Sequence, residues 1–297
     1  MKTIFFKTVR LKWLLLALSG FLAALSVNAQ TTTLSADGSK DTYALIDKIL
    51  GKSAASETPD CAHPDFGPHI TQTMDETLGK YVFSFFIHVT PDNDRCKASI
   101  TDRQRNEIKT ISKSTEAVQG FYGDTCTFRW LFKLDSGFQP SSRFTHIHQI
   151  KAGDGDANQP LITITPRAGK PEKLELIYAA KTGGKDSKLA FANLSEFKGQ
   201  WVEATERILY ATNGTYELTL KKVSDGTVLL SYTTNSLNMW RVDTTYIRPK
   251  WGIYRGSAST LRDEEVRFAD FSITKEANSG SLKAPAASGS GKASAAE

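Results

Sequence analysis

Along most of this chain, apolar residues recur at every second position rather than every third or fourth. Residues 127–135 set Phe128, Trp130, Phe132 and Leu134 against Thr127, Arg129 and Lys133, and residues 215–223 set Tyr216, Leu218 and Leu220 against Glu217, Thr219 and Lys221. Successive side chains of a strand point to opposite faces, so each segment predicts a strand with one buried face. Residues 81–89, 144–151, 161–165 and 173–179 predict further strands, and Ser224-Asp225-Gly226-Thr227 predicts a hairpin turn into a strand over 228–232. Val266 and Phe268 are out of phase with Phe271 and Ile273, which predicts a bulge. One short helix is expected over residues 41–50, where Leu45, Ile46, Ile49 and Leu50 have helical spacing and Gly51 supplies a stop. Ten or more strands with so little helix predict an all-β domain over residues 60–276. Its expected form is two packed antiparallel sheets, a sandwich or concanavalin-like jelly roll with a short N-terminal helix.

The ends of the chain read differently. In residues 1–29, Lys2, Lys7, Arg10 and Lys12 precede an apolar run, and Val27-Asn28-Ala29 offers a small-residue cleavage site. This is the pattern of an export signal; a retained membrane anchor is the alternative, but the run is shorter than the ~20 residues a spanning helix needs. Residues 30–59 are expected to hold a flexible Thr/Ser/Gly-rich lead-in and the helix, and the Ala/Ser/Gly/Lys tail over 277–297 is expected to be disordered. Removing the signal takes away four cations and no anions, so the formal charge falls from +5 to +1. The basicity then belongs to the signal, which argues against a nucleic-acid partner. The mature protein is expected to be secreted, or periplasmic in a bacterium, free of the membrane, and monomeric. Export permits disulfides among Cys61, Cys96 and Cys126: one pair and one free thiol is the simplest outcome, with all three pairings open.

The chemistry concentrates in three separated segments: Arg105-Asn106-Glu107-Ile108-Lys109, His146-Ile147-His148-Gln149 and Lys250-Trp251-Gly252-Ile253-Tyr254. Strand alternation puts Arg105, Glu107 and Lys109 on one face, His146 and His148 on another, and Lys250, Gly252 and Tyr254 on a third. If the three faces line one cleft, it holds cations, imidazoles and a phenol. Those groups can neutralise a sugar carboxylate, remove the adjacent proton and return one to a leaving oxygen. His88, in the strand over 81–89, is a further candidate for substrate contact. A zinc pair at His146 and His148 lacks a third ligand, so no metal set is identified. Asp154-Gly155-Asp156-Ala157-Asn158 has the alternating oxygens of a calcium loop without the remaining ligands; a polar turn is expected, with a structural calcium as the alternative. No other cofactor is required.

These segments, in this order, resemble the Arg-x-Glu-x-Arg, Gln-Ile-His and Lys-x-Gly-x-Tyr strands of the jelly-roll alginate lyases, and their surroundings look closer to the glucuronan lyases. The resemblance covers roughly residues 81–273. It implies that Arg105 binds a uronate carboxylate, that His148 is the base, and that Tyr254 is the acid or both acid and base. His146 stands where the family has Gln and Lys109 where it has a second Arg, while Gln149 supplies an amide if the strand register shifts by one. Lys109, Glu107, Lys250, His146, Gln149 and His88 are the expected substrate-binding residues. The implied activity is β-elimination on an anionic polysaccharide of the glucuronan or alginate type. A non-catalytic glycan-binding sandwich, with Trp201, Trp240 and Trp251 stacking on sugars, is the alternative. A glycoside hydrolase would instead need two facing carboxylates.

Overall fold

The structure is a computed structural model and describes residues 29–276. The expected signal and tail therefore lie outside the described residues, apart from Ala29. The strands are β1 (Gln30–Leu34), β2 (Ser56–Glu57), β3 (Ile70–Asp75), β4 (Lys80–Ile87), β5 (Arg103–Lys109), β6 (Thr125–Leu134), β7 (Thr145–Ala152), β8 (Ile162–Arg167), β9 (Lys173–Tyr178), β10 (Ser187–Asn193), β11 (Trp201–Leu209), β12 (Gly214–Lys222), β13 (Val228–Leu237), β14 (Ile247–Gly256) and β15 (Glu264–Glu276), with one helix, α1 (Thr42–Leu50). Every ladder is antiparallel. One sheet runs β13-β12-β11-β6-β15-β4-β3, with β1 also on β15, and the other runs β10-β9-β8-β7-β14-β5-β2.

The core lies between these sheets. Phe128, Trp130 and Phe132 of β6 meet Phe83 and Phe85 of β4, Phe268 and Phe271 of β15, and Trp251 and Ile253 of β14, all essentially excluded from solvent. The predicted alternation of β6 and β12 appears directly in their burial. The phase break in β15 is a register shift between Ala269 and Ser272, with Asp270 at φ 52°. Asp41 caps α1 by accepting from the Ala44 N–H, and Gly51 ends it.

Residues 30–34 correct one expectation. They are not a flexible lead-in but strand β1, paired along its whole length with residues 271–275. A Thr-rich run satisfies its backbone well at a sheet edge, and composition alone did not reveal the waiting partner. The disulfide is Cys61–Cys96, leaving Cys126 buried and free, with burial pushing its thiol up to about 12. Such a thiol is not a nucleophile. Asp154 and Asp156 form a polar turn: Asp154 accepts from Thr244 and Thr245, and Asp156 from Thr182 and Arg241.

Candidate active site

Strand β14 is flanked by β5 and β7, so the three chemically loaded segments are adjacent. Lys250 is opposite Lys109, Gly252 opposite Glu107 and Tyr254 opposite Arg105; on the other side Lys250 is opposite Gln149 and Tyr254 opposite His146. The intervening Ile108, Trp251 and Ile253 point into the core. Arg105, Glu107, Lys109, Gln149, Lys250, Tyr254 and His146 thus share the outer face of the seven-stranded sheet.

Most of this face is a network of ion pairs. Arg105 donates to Glu107 at 2.6 Å and to Asp94 at 2.8 Å, while Lys250 lies 2.6 Å from both Glu57 and Glu107. Lys109 and Arg95 reach Glu57 at 2.5 and 3.3 Å, and Gln149 donates to Glu107. Burial raises the cost of charge on Glu57, Asp94 and Glu107, yet the surrounding cations outweigh it and hold all three below the usual carboxylate range. Four cations (Arg95, Arg105, Lys109, Lys250) face three carboxylates. Lys151, held near 8 by burial and by Lys250 and Arg105, extends the cationic strip. Among the described residues, Nη2 of Arg105 has no hydrogen-bond partner. The face has surplus positive charge and a free donor for an anion.

Tyr254 stands at one end of this strip. The Arg105 guanidinium lies 3.6 Å from its ring centroid, and Arg103 donates to its phenol oxygen at 3.0 Å. Because that oxygen accepts from Arg103, its own proton is free to move to another acceptor. His146 is next to it, ring centroids 5.9 Å apart. Thr165 donates to Thr163 at 2.9 Å, so its oxygen accepts from His146 Nδ1–H at 2.8 Å and the imidazole lone pair sits on Nε2. Burial drives His146 down to about 3; Glu107 opposes the shift and Arg167, Arg105 and Lys250 add to it, so the ring is neutral.

Two expected site residues are elsewhere. His148 does not share a face with His146: it is fully buried between the sheets, packed at a tilt against Trp130 and Trp251, and bonded through Nε2 to Glu206 at 2.9 Å. Glu206 also accepts from Tyr216, which completes an internal His–Glu–Tyr chain. The cause is the β7–β14 register. Trp251 pairs with His148 and Tyr254 with His146, so two residues of β14 stand against Ile147 alone. The offset breaks alternation in β7, turning His148 inward while His146 and Gln149 face out. His148 therefore does not reach the outer face. His88 is not a substrate contact on this face either: it bonds to Asp92 alongside His63 and His69. That cluster sits behind β5, on the side to which Gln104 and Asn106 point.

Sequence reasoning missed Arg103, Thr165, Glu57, Asp94 and Arg95. Arg103 continues the alternation of β5 by one step and was within reach of that argument. Glu57 and Asp94 arrive from β2 and from a loop bridge to Arg105, with no local signal.

No family's sequence profile matches the chain, and no curated protein does. Solved structures do match its fold. A substituted family 7 alginate lyase in complex with substrate is 17% identical and aligns over 76% of this chain and 94% of that one, TM-score 0.51. A PL-14 alginate lyase from Aplysia kurodai is 14% identical over 81% of this chain and 97% of its own, TM-score 0.52. The chain has the jelly-roll fold found in these polysaccharide lyases.

Proposed function

We propose that this protein is a polysaccharide lyase that cleaves a uronate-containing polymer by β-elimination. The observation that carries the reading is Tyr254, paired across β14 with Arg105 on one side and His146 on the other, at the end of a cationic strip on an outer sheet face. The likeness of fold to alginate lyases, one of them solved with its substrate, supports the same class.

The proton at C5 of a uronate is too weakly acidic to remove while the adjacent carboxylate is ionised and unpaired. Arg105, with Lys250, Lys109 and Gln149, neutralises that carboxylate and stabilises the enolate that forms. Tyr254 oxygen takes the C5 proton as its own phenol proton passes to the departing O4; the electron pair of the C5–H bond forms the C4–C5 double bond as the C4–O4 bond breaks, and the phenol is left neutral. Arg103 at the oxygen and Arg105 against the ring hold the phenol in place and stabilise negative charge that develops there during the transfer. An imidazole held near 3 is a weak base, so His146 acts as a neutral hydrogen-bonding group through Nε2.

The glycan-binding alternative loses its platform, because Trp201, Trp240 and Trp251 are all buried. A glycoside hydrolase needs one carboxyl with a raised pKa, whereas cations hold both Glu57 and Glu107 low. The export pattern of residues 1–29 suits an enzyme that meets its polymer outside the cell. Incubation with glucuronan, alginate and other polyuronates is the test: ultraviolet-absorbing unsaturated uronates are expected. New saturated reducing ends, or binding without cleavage, would overturn the proposal.

A further inference from the structure

Behind β5, four side chains that the proposed lyase chemistry leaves unused converge. We propose that His63, His69, His88 and Asp92 bind one zinc-type divalent transition-metal ion. Each offers one donor atom, and these atoms all lie within 4.8 Å of one another. Around Asp92, Oδ1 lies 3.2 Å from His63 Nδ1 and 3.1 Å from His69 Nε2, and Oδ2 lies 3.1 Å from His88 Nδ1. Ligand atoms of a tetrahedral zinc, each about 2.0–2.2 Å from the metal, stand roughly 3.3 Å apart. With all four atoms within 4.8 Å of one another, no pair has to close by more than about 1.5 Å to reach that spacing.

The chemistry of the donors selects the ion. Three imidazoles and one carboxylate suit zinc, cobalt, nickel or copper, whereas calcium and magnesium take oxygen ligands. The supporting shell is also in place. His69 carries its second ring nitrogen on Asp60 at 2.9 Å, and Asp60 accepts in turn from Tyr43 at 2.7 Å and from the His69 N–H at 3.1 Å. A carboxylate behind a ligating histidine fixes its ring and raises its basicity. Phe66 packs against two of these rings, its centroid 4.8 Å from His69 and 4.2 Å from His88. His69 and Asp92 are fully buried while His63 and His88 are partly open, which leaves an entry path.

The ligands come from two segments, one holding His63 and His69 and the other His88 and Asp92, so the ion is a cross-link between them. It ties the connection between β2 and β3 to the end of β4 and the loop after it. That loop carries Asp94 to Arg105, and the Cys61–Cys96 disulfide closes the same region. The site therefore braces the back of the cationic face without contributing to its chemistry.

Untagged full-length mature protein, stripped with chelator and titrated with zinc chloride in a calorimeter, is expected to bind one equivalent and to melt at a higher temperature once saturated. Cobalt chloride is expected to give the visible absorption of tetrahedral cobalt, and calcium chloride to give no heat. Asp60→Asn should weaken zinc binding roughly 10- to 100-fold. His63→Ala and His88→Ala, both at partly open positions, should abolish stoichiometric binding and the cobalt spectrum while circular dichroism of the metal-free variants matches the parent. Asp92 acting only as a hydrogen-bond hub predicts no stoichiometric zinc, and that result overturns the proposal. Zinc binding unchanged in the His63→Ala, His88→Ala double variant overturns it equally.

Discussion

Tyr254 keeps the outward place that strand alternation assigns it, whereas His148 turns into the core. Tyr254→Phe keeps the ring under the Arg105 guanidinium and removes only the transferable proton. It is expected to lower kcat by about 10²-fold or more with KM nearly unchanged; steady-state kinetics on the best polyuronate, with circular dichroism as control, measures this, and parental turnover removes Tyr254 from the chemistry. His148→Ala should do the opposite. It removes one of the two hydrogen-bond partners of Glu206 inside the core and leaves Tyr216 as the other; losing a buried hydrogen-bond partner costs about 1–3 kcal/mol. Denaturant melts should show that loss while the folded fraction keeps its kcat. A catalytic His148 would instead lose turnover at unchanged stability.

At the scale of elements, the site depends on how closely β14 lies against β5. Gly252 has φ 144°, and a Cβ there would stand 2.1 Å from the Asn106 carbonyl oxygen. Gly252→Ala must therefore push apart the strands that carry Tyr254 and Arg105. A loss of roughly 1–3 kcal/mol is expected from the backbone strain alone, together with a fall in kcat, read by thermal melts and kinetics on the same preparation. The sequence already placed glycine between Lys250 and Tyr254, but its reason is tertiary: the neighbouring backbone fills the space. The two-against-one offset facing Ile147 is likewise a property of the β7–β14 pair.

For the molecule as a whole, the buried charges set the response to acid. Glu57, Asp94 and Glu107 are held below their ordinary values, so their contribution is complete above about pH 4.5 and disappears as pH falls further. His146 adds a separate window. Its ring, near 3 in the fold against 6.5 in an unfolded chain, cannot take up the proton that the unfolded chain binds, so stability declines between pH 6.5 and about 3. Melting temperatures from pH 8 to 4 should therefore fall less steeply for His146→Gln than for the parent across pH 6.5 to 4. Identical slopes would mean that His146 titrates normally.

The sequence by itself determined the all-β class, the bulge in β15, the helix ends and the three segments that meet on β5, β7 and β14. These are consequences of local alternation and capping, which depend on neighbours a few residues away. Arg105, Glu107, Lys109, Lys250 and Tyr254 were legible for that reason. Only the tertiary structure decided that His146 and Gln149 face outward while His148 turns in, because register belongs to two strands at once. It also brought Glu57 and Asp94 to Arg105, joined Cys61 to Cys96, turned residues 30–34 into a strand, and gathered His63, His69, His88 and Asp92. Those contacts are made by loops and strand pairing rather than by any local periodicity, so the alternation pattern carries no trace of them.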